Sequence, residues 1–187
     1  MKNLKTIAVA LLVAVSAIAT AQTKKIDASK SEVAWLGKAV THNQNGTISI
    51  KEGNLIFKGK KLKGGNVTID MTSINALSTA PEKKGSLEGH LKKDEFFGTE
   101  KYPTAKLVFK TIAAKGNGIY TVTADLTIKA ATKPVTFDLA VAENTAKTKL
   151  IFDRTKFDVS FGSASLSDKL GDKAIYDDIE MNVTLVF

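Results

Sequence analysis

Gly118 to Ala142, GIYTVTADLTIKAATKPVTFDLAVA, constrains this chain more than any other stretch. Tyr120, Val122, Ala124, Leu126 and Ile128 fall on one face of an extended strand. Thr121, Thr123, Asp125, Thr127 and Lys129 fall on the other, because side chains alternate across a strand. After a break at Ala130–Lys133, Val135, Phe137, Leu139 and Val141 resume the apolar face against Thr136, Asp138 and Ala140. Pro134 fits the first residue of the returning strand, where a missing N–H is tolerated. The pattern predicts an antiparallel hairpin with one apolar and one wet face, each arm about 30 Å long at the strand rise. Arms of that length exceed most strands in globular sheets. Strands so long and so one-sided suit a barrel wrapped around something apolar.

The rest of the chain repeats the pattern. Val33, Trp35 and Gly37 alternate with Ala34, Leu36 and Lys38, after a polar lead-in over Gln22–Ser31. THNQNG (41–46) reads as a turn, with Asn45-Gly46 a hairpin signal. Thr47–Lys51 and Asn54–Lys58 read as two short strands, and GKKLKGG (59–65) as a glycine-rich turn carrying Lys60, Lys61 and Lys63. Val67, Ile69 and Met71 alternate next. Asn75–Gly85, with Pro81, reads as a loop. Ser86–Phe97 is the one helical candidate, with Ser86 as its cap and Gly98 as its stop. Ala105, Leu107 and Phe109 form a strand face after Tyr102-Pro103, and Gly116-Asn117-Gly118 turns into the long hairpin. Lys147–Phe161 reads as two alternating runs broken near Thr155. Gly162–Asp177 reads as a loop, and Ile179, Met181, Val183, Leu185 and Phe187 close the chain. Roughly eight to ten strands at hairpin spacing imply an antiparallel barrel or sandwich.

The N-terminus carries Lys2 and Lys5, an uncharged apolar run over Ile7–Ala19, and Ala19-Thr20-Ala21, which fits the small-x-small cleavage rule. Residues 1–21 are therefore expected to be a signal peptide and 22–187 one domain, placed in the periplasm or secreted. The apolar run is shorter than the roughly 20 residues of a membrane span. No cysteine occurs, which excludes disulfides and thiolate catalysis. The formal charge of +8 falls to +6 without Lys2 and Lys5, and Arg154 is the only arginine. Nucleic-acid binding, which favours arginine forks and stacked aromatics, is not expected. A lysine-rich exported surface reads as solvated, or as mildly attracted to anionic lipid headgroups in a transient membrane contact.

Catalytic groups are sparse. Only His42 and His90 are histidines. His90, Asp94 and Glu95 fall within a helical turn or so of one another, but a metal site needs a third and usually a fourth ligand, and none is supplied. Phe161-Gly162-Ser163 lacks the context of a nucleophile elbow. The chain is expected not to be an enzyme and to need no cofactor; a lipocalin-shaped enzyme using His90, Asp94 or Glu95 is the lesser alternative. Arg154, beside Asp153 in an aromatic run, reads either as a structural Asp–Arg bridge, the preferred reading, or as a group reaching a headgroup. The strongest feature is the apolar face itself. Trp35, Phe109, Tyr120, Phe137, Phe152, Phe157 and Phe161 lie on different strands, with Val122, Leu126 and Leu139 beside them. A filled barrel and a hollow one share this pattern. So does an outer-membrane barrel with its apolar face outward, although four Tyr and Trp residues make poor girdles.

Taken in order, several blocks resemble the YceI-like family of exported, lipocalin-type polyisoprenoid-binding proteins. They are Trp35 with His42 and Gly46, GNVTIDMTSI (65–74), GHLKKDEFF (89–97), YPTA (102–105), DLTIKAATKPVTF (125–137), FDRTKF (152–157) and DKAIYDDIEM (172–181). The resemblance runs from about Ile26 to Phe187. It implies an all-β fold, an extended antiparallel eight-stranded lipocalin-like barrel with one short helix insertion. It also implies an interior that holds a long isoprenoid lipid, either a polyprenyl phosphate or a quinone tail, for carriage, storage or stress response. On this reading the apolar residues above form the lining, and His42 and Arg154 are the headgroup candidates. The oligomeric state stays open, a dimer included.

Overall fold

The computed structural model describes residues 20–187; the expected leader falls largely on residues 1–19, outside them. In chain order the elements are β1 (Ala21–Lys25), β2 (Glu32–Ala39), β3 (Asn43–Lys58), β4 (Lys61–Ala76), α1 (Pro81–Lys92), β5 (Thr104–Gly116), β6 (Ile119–Ile128), β7 (Ala131–Val141), β8 (Thr145–Asp153), a one-turn 3-10 segment (Arg154–Phe157) and β9 (Ile175–Val186). Eight strands close into an antiparallel barrel in the order β3-β2-β9-β8-β7-β6-β5-β4, with β4 returning to β3. β3 is long enough to be shared. Its Asn43–Thr47 stretch pairs with β2, and its Asn54–Lys58 stretch pairs with β1, while β4 runs along the opposite edge. The residues expected to be a polar lead-in therefore include an added ninth strand.

The long hairpin folds as its alternation dictates. Tyr120, Val122, Ala124, Leu126 and Ile128 are all buried, opposite Leu139, Phe137, Val135, Lys133 and Ala131. Thr121 bonds Asp138, Thr123 bonds Thr136 and Thr127 bonds Thr132 across the outer face. Such cross-strand polar pairs fix register where packing does not. The break is tighter than expected: only Lys129 and Ala130 turn, with Lys129 at φ 52°. Pro134 is the fourth residue of β7, not the first. It is tolerated because the β7–β8 ladder covers only Ala140–Lys147 and Val141–Ala146, so no ladder bond on that edge is lost.

Six local expectations are corrected. Asn45-Gly46 lies inside β3, and the chain turns at Val40–His42, where Ala39 N–H donates to the His42 carbonyl at 2.8 Å. Gly46 is required there for close approach: a Cβ would sit 1.9 Å from the Asn75 carbonyl oxygen and 2.6 Å from the Trp35 ring. The two short strands of 47–58 are one continuous strand with bulges, and Gly64-Gly65 belong to β4, where Gly65 makes room for Leu55 and Phe109. Pro81 opens α1 instead of sitting in a loop; its fixed φ and missing N–H suit a first helical turn. Ser86 is consequently inside the helix, which stops at Lys92 before a turn closed by Gly98 at φ 53°. Finally, the run after Thr155 is no strand: the 3-10 segment and a long loop lead directly to β9.

Topology defines two ends. The turns 59–60, 117–118 and 142–144 lie at one end. The 40–42 turn, α1, the 129–130 turn and residues 154–174 lie at the other.

Candidate functional site

The two ends are built differently. At the first, the barrel fills itself. Leu55, Phe57, Leu62, Tyr120 and Val122 are buried together. Tyr120 of β6 reaches past β5 on the inner face, and its hydroxyl accepts the Leu62 N–H of β4 at 3.3 Å. That donor lies outside the β4–β5 ladder, which spans only Asn66–Asp70, so the phenol supplies a partner for a buried main-chain group. Phe187 stacks on Phe57 at 5.6 Å, with the Lys24 ammonium over both rings. We call this the closed end.

Above that plug the interior is hollow. A cavity of about 290 Å³ is bounded by inward-facing residues of β2 to β9 and by the segments at the opposite end, the mouth. Val33, Val67, Leu139 and Leu185 contribute to it from four different strands, and Phe109, Leu126, Phe137, Leu150 and Met181 from others. The mouth is formed by Leu87, His90 and Leu91 of α1, Phe96 and Phe97, the 40–44 turn, and Phe161. None of the α1 residues is buried, so the helix lies across the opening instead of anchoring in the core. His90, Phe96 and Phe161 form a three-ring cluster, with centroids 4.9 Å (His90–Phe96), 4.8 Å (His90–Phe161) and 5.1 Å (Phe96–Phe161) apart.

The residues singled out from the sequence divide into two groups. Trp35, His42, Phe109, Leu126, Phe137, Leu139, Phe152, Arg154 and Phe161 reach the cavity. Tyr120 and Val122 are buried in the plug side of the interior, and Phe157 is wedged against Phe152 at 5.6 Å; none of the three reaches the cavity. Sequence reasoning passed over Gln44, Ile74, Met71, Leu91 and Met181, all of which line it. Inward parity on their strands marks Met71 and Met181; Leu91 required knowing where α1 lies.

Arg154 reaches the wall, but its donors are engaged. Nε donates to the Tyr176 carbonyl at 3.3 Å, Nη1 to Val159 at 2.8 Å and Phe161 at 3.0 Å, and Nη2 to Ile175 at 3.3 Å, with Asp177 3.6 Å from Nη2. It is a strut that ties the 158–174 loop to β9. Burial draws its pKa down while Asp177 and Asp153 oppose the shift; an arginine stays charged in either case. For Asp177, burial opposes the charged form. The Ser163 and Ser165 hydroxyls and the Arg154 guanidinium outweigh it and hold the carboxyl below its ordinary range.

Two hydrogen-bonding side chains, His42 and Gln44, line the cavity at the mouth. Gln44 Oε1 accepts from Ser78 at 2.8 Å and Thr79 at 2.7 Å, orienting its amide, and His42 Nδ1 lies 3.0 Å from the Thr41 hydroxyl. Lys38 is paired with Glu180. His90 Nδ1 lies 2.8 Å from Glu95, and among the described residues no third ligand completes a metal site. The arrangement suits holding an apolar guest.

Comparison with known proteins agrees with this architecture. A family model described as the YceI-like domain matches residues 25–187. A UPF0312 protein of Shewanella denitrificans is 35% identical over 85 residues, covering 46% of this chain and 42% of that protein. Protein YceI of Escherichia coli O6:H1 is 33% identical over 95 residues, covering 50% of this chain and 46% of that protein. The chain thus spans about half the length of the curated relatives it matches. Among solved structures, BcnA of Burkholderia cenocepacia superposes with a TM-score of 0.69 at 25% identity, over 87% of this chain and 99% of that one. A polyisoprenoid binding domain from Saccharophagus degradans shares the fold, with a TM-score of 0.59 at 14% identity over 86% of this chain and 95% of that one.

Proposed function

This chain belongs to the YceI-like domain family, and from its blind apolar cavity we propose that it is a binding protein for a long isoprenoid-type lipid. The observation that carries the reading is the hollow above the Tyr120 plug: a barrel that only needed a core would fill its whole length, as the closed end does. A polyisoprenoid is a branched apolar rod, and moving it from water into such a lining yields about 25 cal/mol per Å² without any catalytic group. A preformed tube lowers the ordering cost. The solved relative described as a polyisoprenoid binding domain supports the same ligand class.

Between the two headgroups expected from the sequence, a quinone-type ring suits this mouth better than a polyprenyl phosphate. The Gln44 amide and the His42 ring lie on the cavity wall within reach of ring oxygens, whereas Arg154 already serves four carbonyls and Lys38 is paired with Glu180. The protein acts by carriage, storage or a stress-linked sequestration of this lipid, in the periplasm or after secretion, without chemistry of its own. A membrane-spanning barrel would need the opposite facing: here the inward residues of β6 are apolar, and the outward ones after Ile119 are three threonines and Asp125.

The test is organic extraction of the purified protein followed by mass spectrometry, with native mass spectrometry of the unextracted sample. The reading requires a long isoprenoid species in near-stoichiometric amount. An empty barrel that also fails to take up added isoprenoid quinone would overturn it.

A further inference from the structure

The large apolar side chains left in solvent are not scattered. Of the eight that are exposed among the described residues, Val40, Leu77, Phe161, Leu166 and Tyr176 all lie at the mouth end. They come from four segments: the 40–42 turn, the end of β4, the 158–174 loop and the start of β9. Leu166 is 64% exposed and Leu77 60% exposed, values at which a leucine serves no core. The segments are held together. Val40 N–H donates to the Ala174 carbonyl at 3.0 Å, Leu77 N–H to Asn45 at 2.8 Å, and Ala164 N–H to Ile175 at 3.0 Å. Arg154 fixes the loop that bears Phe161 and Leu166. The mouth end therefore carries exposed apolar side chains on segments held by main-chain bonds, and the cavity opens at that end.

Charge is distributed the other way. The hairpin at the closed end carries Lys58, Lys60, Lys61 and Lys63, none of them in an ion pair among the described residues. At the mouth, lysines and carboxylates are mixed: Lys83 and Lys84 sit with Glu82 and Glu88 on α1, and Lys169 and Lys173 with Asp168 and Asp172 on the loop. Simple attraction to an anionic surface would bring the closed end down. Apolar insertion would bring the mouth down.

We propose that the mouth rim is a bilayer-docking surface. Val40, Leu77, Phe161 and Leu166 enter the boundary between headgroups and acyl chains, so that the cavity opens directly onto the lipid phase. Large apolar side chains gathered at one end of a protein mark interaction sites, and interfacial binding scales with buried apolar area together with attraction to anionic lipids. The occupant is a bilayer and not a protein groove because an apolar cavity of lipid-holding character opens inside the rim. To that extent the inference rests on the function proposed above. Lys83 and Lys84 would lay their stems along the apolar rim and extend their ammonium groups to phosphates.

The test is co-sedimentation of the purified protein with vesicles of phosphatidylcholine alone and of phosphatidylcholine mixed with phosphatidylglycerol, each at low and high salt. Docking through the rim predicts binding to both compositions that survives high salt. The double variant Leu77→Asp, Leu166→Asp should lose it by roughly tenfold or more, at an unchanged thermal midpoint. Lys60→Gln with Lys61→Gln and Lys63→Gln should leave it intact. Binding confined to anionic vesicles and abolished by salt or by the lysine variant would overturn the proposal, as would no binding to either vesicle. Bound lipid measured in the same samples separates the two readings: an occupied barrel that ignores vesicles sinks only the docking surface, whereas an empty one that also fails to take up added isoprenoid quinone sinks the carrier.

Discussion

The Thr148 hydroxyl donates to the Asp138 main-chain carbonyl at 2.7 Å, just beyond the point where β7 and β8 stop exchanging main-chain bonds. One side chain thus stands in for a ladder along the least-bonded seam of the barrel, with Phe157 wedged near its upper part against Phe152. Thr148→Val keeps the shape and removes the bond. We expect a loss of about 1 kcal/mol in urea unfolding. Amide exchange should quicken in the 132–138 stretch of β7 and not in the 120–126 stretch of β6. Equal acceleration in both strands would show that the seam is not an independent weak point.

Arg154 predicts a larger effect. Replacing it with methionine strands the carbonyls of Val159, Phe161, Ile175 and Tyr176 and leaves Asp177 without its cation. Removing one partner of a buried charged network costs about 3–5 kcal/mol. Arg154→Lys should recover only part of this, since an ammonium has three donors and no planar fork. Denaturant midpoints of the three proteins decide the order; a lysine variant as stable as the parent would refute it.

Acid should attack the outer face first at Glu180. Hydrogen bonds from Lys149, at 2.6 Å, and Lys38 lower its pKa from 4.5 to about 2. A depressed folded value means that the stabilisation is present above the ordinary carboxylate range and is lost as pH falls from about 4.5 toward about 2. Stability measured against pH should therefore show a constant gap between parent and Glu180→Gln near neutrality, closing below pH about 4.5. A gap that persisted at pH 2 would contradict the assignment.

Paired alanine substitutions read out the hollow. Ala105 lines the cavity, while Ala124, fully buried, lies outside it. Ala105→Phe has room and should cost under about 1.5 kcal/mol while displacing most bound lipid. Ala124→Phe meets packed neighbours and should cost about 1–3 kcal/mol or more. Thermal midpoints and extracted lipid per mole of protein measure both. Reversal of the two stabilities would place the empty volume elsewhere.

How much of this the sequence shows depends on which residue is asked. Alternation alone puts Val122 and Leu126 on one strand face; it leaves barrel or sandwich open, and the direction of that face with it. Alternation does not say what stands opposite: Val122 meets plug and Leu126 meets cavity, though the two are identical in pattern. Gly46 misled because glycine answers two needs. Beside asparagine it signals a turn with positive φ, yet here it admits the Trp35 ring and the Asn75 carbonyl inside a strand. Pro81 misled in the same way, since a residue that breaks a helix interior also begins one. Arg154 reads in sequence as a bridge to its neighbour Asp153, but the carboxylate it meets is Asp177, and its four carbonyl partners lie five to twenty-two positions away, where no local pattern announces them.

The plug made by Tyr120 and its neighbours gives the tube a single door. On the proposed function, a lipid guest would go in tail first and come out head first, so its polar end would stay at the threshold throughout. A downstream protein that felt only His42, Gln44 and the aromatic trio could tell a loaded carrier from a vacant one without disturbing what lies below.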